Sequence, residues 1–185
     1  MGLFGWWSKK GGDDGTQAWR HQWAAAVSAL DARAAAELDA ALRATPPLAD
    51  DLEIEHEMLD GLHQLLTLER ELASGTAPVI ETTHRVVGSD RCHFSAPVSM
   101  PDDPAQPTGR LLLTSTRAAF AGGTRAPALP WHAVRDVVQT GRDLLFVTSR
   151  GPEDAQRFRC NSYSEAMCGG AIARYLVNRA RTRQI

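Results

Sequence analysis

The feature that most constrains this chain is a change in hydrophobic spacing close to Gly75. Before that residue, apolar side chains recur every three or four positions, which is typical of amphipathic helices. After it, short apolar stretches alternate with polar residues and are separated by turn residues, which is typical of an antiparallel sheet. The sequence therefore predicts an α+β fold in which a helical region precedes a β-rich region.

The two regions also differ in charge. The 185 residues include 20 Lys and Arg and 22 Asp and Glu, a net charge of −2. Residues 1–74 contain six basic and 13 acidic residues, hence −7, whereas residues 75–185 contain 14 arginines, no lysine and nine acidic residues, hence +5. Most of these arginines are spread singly between acidic residues. Because phosphate neutralisation needs several cations on one face, we expect no nucleic-acid partner.

Location is predicted from the apolar runs and the cysteines. No run of 18 apolar residues occurs, and the N-terminus lacks the apolar region of a secretory signal. Cys92, Cys160 and Cys168 are an odd number of cysteines without C-x-x-C spacing, so we expect reduced thiols. These observations predict a cytoplasmic protein, peripheral to the inner face of the membrane if its N-terminal segment binds lipid.

Residues 1–15 combine aromatic, basic and glycine residues, and we interpret them as a flexible tail. Because a peptide this short cannot bury two tryptophans by itself, another surface must cover them. That surface is the protein's own core, a membrane interface or a groove of a partner protein, and the sequence leaves all three open. The predicted contact residues are Leu3, Phe4, Trp6, Trp7, Lys9 and Lys10.

Residues 16–74 are predicted to form an antiparallel helical hairpin. One helix is expected over Thr16–Ala44, where Pro46-Pro47 stops it, and a second from about Ala49 to Ala73, where Gly75 ends it. The apolar positions are Trp19, Trp23, Val27, Leu30, Ala34, Leu38 and Leu42 in the first helix and Ile54, Met58, Leu62, Leu65, Leu68 and Leu72 in the second.

Residues 75–185 are predicted to form seven strands and a final helix. The second strand alternates, with Cys92, Phe94 and Ala96 on one face. Ser162 to Glu165 has capping-box spacing, so the final helix begins there. The predicted strands are Val79–Val87, Arg91–Val98, Arg110–Thr114, Ala118–Gly122, Val134–Thr140, Leu144–Ser149 and Gln156–Cys160.

The stretch Gly109-Arg-Leu-Leu-Leu-Thr-Ser-Thr-Arg-Ala-Ala-Phe120 resembles the G-x-L-x-L-T-x-x-R-x-x-F hairpin of GRAM and bacterial pleckstrin-homology-like (PH-like) domains. Pro130 to Val137 resembles the following strand of that family, and Phe158-Arg159-Cys160 resembles its last strand before the helix. The resemblance covers about residues 77–180. It implies a seven-stranded antiparallel barrel capped by a C-terminal helix, over residues 75–185, that binds a partner without catalysis.

The family resemblance also implies phosphoinositide binding, but the local charge argues against it. The corresponding loop, Pro97 to Thr108, contains two aspartates and no cation. A phosphate headgroup is not favoured beside uncompensated carboxylates. We therefore expect a protein partner rather than a phosphoinositide.

One motif in the helical region is close to a zinc site. His56 to Asp60 differs from H-E-x-x-H by an aspartate in place of the second histidine, and His63 lies one turn further on. Glu53, Glu55 and Glu57 also fit a solvated acidic stretch at the start of a helix, which is the interpretation we adopt.

Cys92, His93, Cys160 and Cys168 would offer thiolate and imidazole ligands if the second and last strands were neighbours. Their spacing is not that of a zinc finger, so we expect packed thiols, no metal and no cofactor. No serine lies in a G-x-S-x-G setting that would favour acyl transfer.

The predicted function is a non-enzymatic adaptor or scaffold. The alternatives are a peripheral membrane protein that uses its tail and a metal-dependent hydrolase that uses the His56 motif.

Overall fold

The structure is a computed structural model that describes residues 12–44, 52–122, 128–149 and 151–182. The chain divides into two compact units, residues 1–67 and residues 68–185, and the division falls within the third helix. We call them the helical unit and the sheet unit. The predicted contact residues Leu3 to Lys10 and the Pro46-Pro47 turn lie outside the described residues.

The prediction of one helix over residues 16–44 is wrong. The structure has α1 over Gly12–Ala29 and α2 over Ala32–Arg43, followed by α3 over Glu53–Ala73. Leu30 has a positive φ of 51°, and the side chain of Asp31 accepts the first free N–H groups of α2. A residue in the left-handed region followed by an N-cap ends one helix and begins the next. The predicted hairpin is therefore three helices.

The break changes which residues of α1 and α2 are buried. Leu30 is exposed, whereas Val27 and Ala34 are only partly buried. In α3 the predicted stripe is buried apart from Ile54, which is exposed. Gly75, at φ 85°, ends this helix as predicted. The buried apolar residues of α1 and α2 are Trp19, Trp23, Ala26, Ala35, Leu38 and Leu42.

The sheet unit contains the predicted seven-stranded antiparallel sheet. Its strand order is β4-β3-β2-β1-β7-β6-β5, so β4 and β5 are the edges and the sheet of the described residues is open rather than closed. The strands are β1 Cys92–Ser99, β2 Thr108–Thr114, β3 Arg117–Ala121, β4 Ala128–Pro130, β5 Val134–Thr140, β6 Asp143–Thr148 and β7 Gly151–Cys160.

Two strand assignments differ from the prediction. Val79–Val87 is not a strand: it pairs with the sheet only through an isolated bridge between Ile80 and Cys92. The side chain of Thr82 accepts the N–H of His84, which turns the chain away from a ladder. The seventh strand is instead β4, a three-residue edge strand that the sequence did not indicate. We call residues 77–90 the strap.

The β2–β3 hairpin is as predicted. Leu111 lies opposite Phe120, Leu113 and Phe120 are both fully buried, and the N–H of Arg117 donates to Thr114 Oγ1 across the turn. Four aromatic rings form the centre of the core, with centroid distances from 5.7 to 6.5 Å between neighbours. They belong to Phe120, Trp131, Phe146 and Phe158.

The final helix, α4, covers Tyr163–Thr182 and packs against the sheet. The predicted capping box is present, because Glu165 N donates to Ser162 Oγ at 3.1 Å and Ser162 N donates to Glu165 Oε2 at 3.2 Å. A Cβ added at Gly169 would lie 2.9 Å from the Phe94 ring, so this glycine allows the close approach that was predicted. No described helix is long and apolar enough to cross a bilayer.

Candidate binding groove on the outer face of the sheet

The strap covers part of the outer face of β1–β3, opposite the aromatic core. Leu112 lies between Leu111 and Leu113 in β2, so it points to the outer face and needs its own cover. The strap provides it: Val87, Cys92 and Leu112 form a small buried cluster, and Ile80, Val86 and Ala121 pack around them.

Polar contacts hold the strap in place. His93 Nδ1 lies 2.6 Å from the carbonyl oxygen of Pro78, and Arg117 Nη2 donates to the carbonyl of Val86 at 3.0 Å. At the end of the strap, Asp90 accepts from the N–H and the hydroxyl of Thr116. Burial raises the pKa of Asp90, but hydrogen bonds from Thr114 and Thr116 and from backbone N–H groups outweigh it, so the pKa lies below its usual value.

An open groove of about 720 Å³ lies beside this cluster. Arg110 Nε donates to Ser95 Oγ at 3.0 Å, and Arg110 has no ion-pair partner among the described residues. Glu81 gives the lining one carboxylate. The arrangement therefore offers a guanidinium that can take up a carboxylate or a phosphate. The groove is lined by Ile80, Glu81, Thr82, Thr83, Ser95 and Arg110.

The strap also offers backbone groups to the groove. Ile80 N donates to the carbonyl of Cys92 at 2.9 Å, but residues 81–83 make no backbone-to-backbone hydrogen bond within the described part of the chain. All three residues are exposed. Their N–H and C=O groups are therefore available to another extended chain.

Ser115 and His93 have the geometry of a nucleophile and its base. His93 Nε2 lies 2.9 Å from Ser115 Oγ. Because the Pro78 carbonyl can only accept, Nδ1 carries the proton of the neutral ring and Nε2 accepts from the serine. Acyl transfer also needs donors for an oxyanion, but the backbone N–H groups of residues 115–117 already donate within the strap and the turn. The pair is therefore an anchor of the strap.

The acidic loop within Pro97–Thr108, where no phosphoinositide is expected, is held to the sheet by one of its aspartates. Asp102, in the loop between β1 and β2, forms an ion pair with Arg157 of β7, whose Nε donates to Asp102 Oδ2 at 3.1 Å. Asp143 joins the same network through Arg157, whose Nη1 lies 3.7 Å from Asp143 Oδ2, and Asp143 also accepts from Arg159 at 2.8 and 3.0 Å. The hydrogen bond from Arg159 lowers the pKa of Asp143. Asp102 is therefore charge-compensated from within the sheet unit.

The histidines of the predicted zinc motif lie on the surface of α3. His56, Asp60 and His63 share one helix face and are all exposed. Within residues 12–44, 52–122, 128–149 and 151–182, no group of three or more His, Cys, Asp or Glu side chains could hold a metal ion.

The cysteine and histidine ligands are not brought together, although β1 and β7 are neighbours. The two strands pair only where Val98 lies opposite Cys160 and Ser99 opposite Arg159. Cys92 is six residues from Val98 along β1, roughly 20 Å at the usual rise of a strand. Cys92 and Cys160 therefore cannot share a metal ion.

Burial also favours the protonated form of the three thiols. Burial raises the pKa of Cys160 to about 12 and that of Cys168 to about 11, and it raises the pKa of Cys92 as well.

The predicted alternation of β1 is wrong at its start: a bulge between Cys92 and Phe94 places these two side chains on opposite faces of the sheet.

The residues that line the groove were not singled out by sequence analysis. The sequence pattern places Thr82 and Thr83 in a strand, and it includes Arg110 only as a residue of the β2 pattern. The available signal was the hydroxyl pair at Thr82-Thr83, since threonine side chains often bind nearby backbone groups.

No protein-family model matches this chain, and no curated protein matches it. Among solved structures, it is similar to the C-terminal domain of an unknown protein from Leishmania infantum, with a TM-score of 0.43 and 11% identity. That similarity covers 50% of this chain and 90% of the other.

Proposed function

We propose that this chain is a non-enzymatic adaptor or scaffold that binds a protein partner through a PH-like domain, residues 75–185, and uses its N-terminal tail for recruitment. The resemblance of Gly109 to Phe120 to the GRAM hairpin supports the family, and so does an antiparallel sheet of seven strands followed by a helix that packs on it. The barrel that this resemblance implies is part of the proposal.

The observation that carries the binding role is the open groove beside Arg110. A guanidinium without an ion-pair partner and a stretch of unpaired strap backbone suit recognition of another chain. The loop between β1 and β2 supports a protein rather than a phosphoinositide, because it has no cation of its own and Arg157 beside it is already paired with Asp102.

Recruitment by the tail is tested with the full-length chain and the double variant Trp6→Ala, Trp7→Ala. If the tail binds a partner, the variant loses partner recovery in a pull-down while its melting temperature stays within about 1 °C of the parent. The matched control is Trp6→Phe, Trp7→Phe, which keeps most of the apolar area. A large loss of melting temperature with recovery intact would show that the tail packs on the protein's own core.

The membrane alternative has its own measurement. Tryptophans at headgroup level and lysines near anionic lipid would give co-sedimentation with vesicles that contain phosphatidylserine, which falls as salt is raised. We expect no headgroup-selective binding to phosphoinositide vesicles at physiological salt.

The hydrolase alternative is tested by elemental analysis: stoichiometric zinc that is lost on His56→Ala would contradict the adaptor proposal.

A further inference from the structure

We propose that the groove beside the strap binds an extended segment of a partner protein that carries an acidic side chain, with Arg110 holding the carboxylate. The inference rests on the proposed function, since it names where on the PH-like domain a protein partner is held. Three observations carry it. Arg110 has no ion-pair partner among the described residues, residues 81–83 make no backbone-to-backbone hydrogen bond with the described part of the chain, and the groove lining contains one arginine and one glutamate.

The guanidinium of Arg110 is oriented by one hydrogen bond and is accessible to a carboxylate. Its Nε donates to Ser95 Oγ at 3.0 Å, which fixes the plane of the guanidinium, and its terminal nitrogens make no ion pair with a described residue. By contrast, Arg157 and Arg159 of the same sheet are paired with Asp102 and Asp143. A planar guanidinium held through Nε can donate two parallel hydrogen bonds from its terminal nitrogens to a carboxylate.

The opposite wall of the groove suits an extended chain. Residues 81–83 follow the bridge between Ile80 and Cys92 without backbone partners of their own. An extended peptide laid along them would make main-chain hydrogen bonds, as in strand addition to a sheet edge.

The charge of the lining favours a peptide over a free phosphate. Glu81 places a carboxylate in the same groove as Arg110, so the formal charges of the lining sum to zero. A doubly charged phosphate on Arg110 would be repelled by Glu81, whereas a segment with one acidic residue and a neutral or basic neighbour is complementary to both.

The test uses the full-length protein and a phage-displayed library of random heptapeptides. Enriched peptides are synthesised with their Asp or Glu and with Asn or Gln in its place, and dissociation constants are measured by fluorescence anisotropy. We expect enriched peptides to carry an acidic residue and to bind at least about tenfold more weakly to Arg110→Gln. Arg135→Gln is the matched control, an exposed arginine on the edge strand β5, and binds like the parent.

Amide chemical shifts locate the peptide: the proposal requires changes at residues 80–83 and at Ser95. It is overturned if no peptide is enriched, if Arg110→Gln binds as tightly as Arg135→Gln, or if millimolar inorganic phosphate shifts Ser95 and Arg110 while acidic peptides do not. Partner recovery separates the two levels. Recovery that survives Arg110→Gln but not the Trp6, Trp7 change rejects the groove and keeps the adaptor function, whereas no recovery by the parent rejects the adaptor function.

Discussion

The helical unit and the sheet unit are specified by different kinds of contact. In the helical unit a charged group lies inside: Glu55, only 1% exposed, accepts from Arg20 at 2.7 Å. Each unit also buries an indole N–H that donates to a carbonyl at 2.8 Å, from Trp23 to Met58 and from Trp131 to Thr114. In the sheet unit, the centre is built from aromatic rings and leucines, and ion pairs such as Arg159 to Asp143 lie at the surface.

This difference matters for how each unit responds to change. Apolar burial in the sheet unit is non-directional and scales with the area removed from water. An ion pair with one buried member, such as Glu55 with the half-exposed Arg20, adds little net stability while intact, but losing the partner of the buried group is costly. The loss of stability that a mutation causes should therefore differ in size between the two units. The units should also differ in whether a second mutation restores the lost stability.

The largest effect is expected at the centre of the sheet unit. Phe120 is fully buried, with its ring centroid 5.9 Å from that of Phe158. Phe120→Ala should lower the free energy of unfolding by about 3–5 kcal/mol, because it removes apolar contacts and leaves a cavity. Urea denaturation measures the loss, with Val138→Ala on the exposed side of β5 as the control. A variant as stable as this control would mean that the aromatic core is misassigned.

The second effect sharpens the comparison in the helical unit. Arg20→Met leaves the buried carboxylate of Glu55 without its partner and should cost about 1–3 kcal/mol. Arg33→Met, which breaks the exposed pair with Glu37, should cost less than about 1 kcal/mol. The double variant Arg20→Met, Glu55→Met should recover most of the loss. If Arg20→Met and Arg33→Met are equally stable, the pairing of Arg20 with Glu55 contributes no more to the stability of the helical unit than an exposed ion pair does.

The same difference explains what the sequence could predict. Short apolar stretches bounded by turn residues predicted β2, β3, β5 and β6. Only β5 and β6 bury a single face, whereas both faces of β2 and β3 are covered. The capping box of α4 was also readable, since its residues are adjacent in the chain. In contrast, the pairing of Glu55 with Arg20 joins residues 35 apart, and nothing local indicates it.

The strap and its groove were missed for a related reason. The apolar residues at Ile80, Val86 and Val87 suggested a strand, although they cover the outer face of the sheet from an irregular segment. The break at Leu30 was missed because the left-handed region is usually occupied by glycine, and a leucine there gives no sequence signal.

A smaller effect is expected at this break. Asp31 accepts from the N–H groups of Arg33 and Ala34 at 2.9 and 3.1 Å and so begins α2. Asp31→Ala should cost about 1 kcal/mol, while Asp31→Asn, which keeps the cap, should cost only a few tenths. Thermal melting of the two variants measures the difference. Equal losses would indicate that α1 and α2 are separated by packing rather than by the cap.

The smallest effect concerns the surface ion pairs of the sheet unit and depends on pH. The hydrogen bonds from Arg159 hold the pKa of Asp143 below its usual value of 3.8. Because the pKa is lower in the folded state, the stabilisation is fully present above about pH 5 and is lost as the pH falls through the folded pKa.

Asp143→Asn should therefore melt below the parent at pH 6, with the gap narrowing as the pH falls from 4 towards 2. Asp154→Asn, at an exposed position of β7, is the control and should change little at any pH. The gap at pH 6 should be smaller than the loss caused by Arg20→Met, since the side chain of Asp143 is 18% exposed whereas that of Glu55 is only 1% exposed. A gap as large as that loss, or one that does not change with pH, would show that polar contacts determine the sheet unit as much as they do the helical unit.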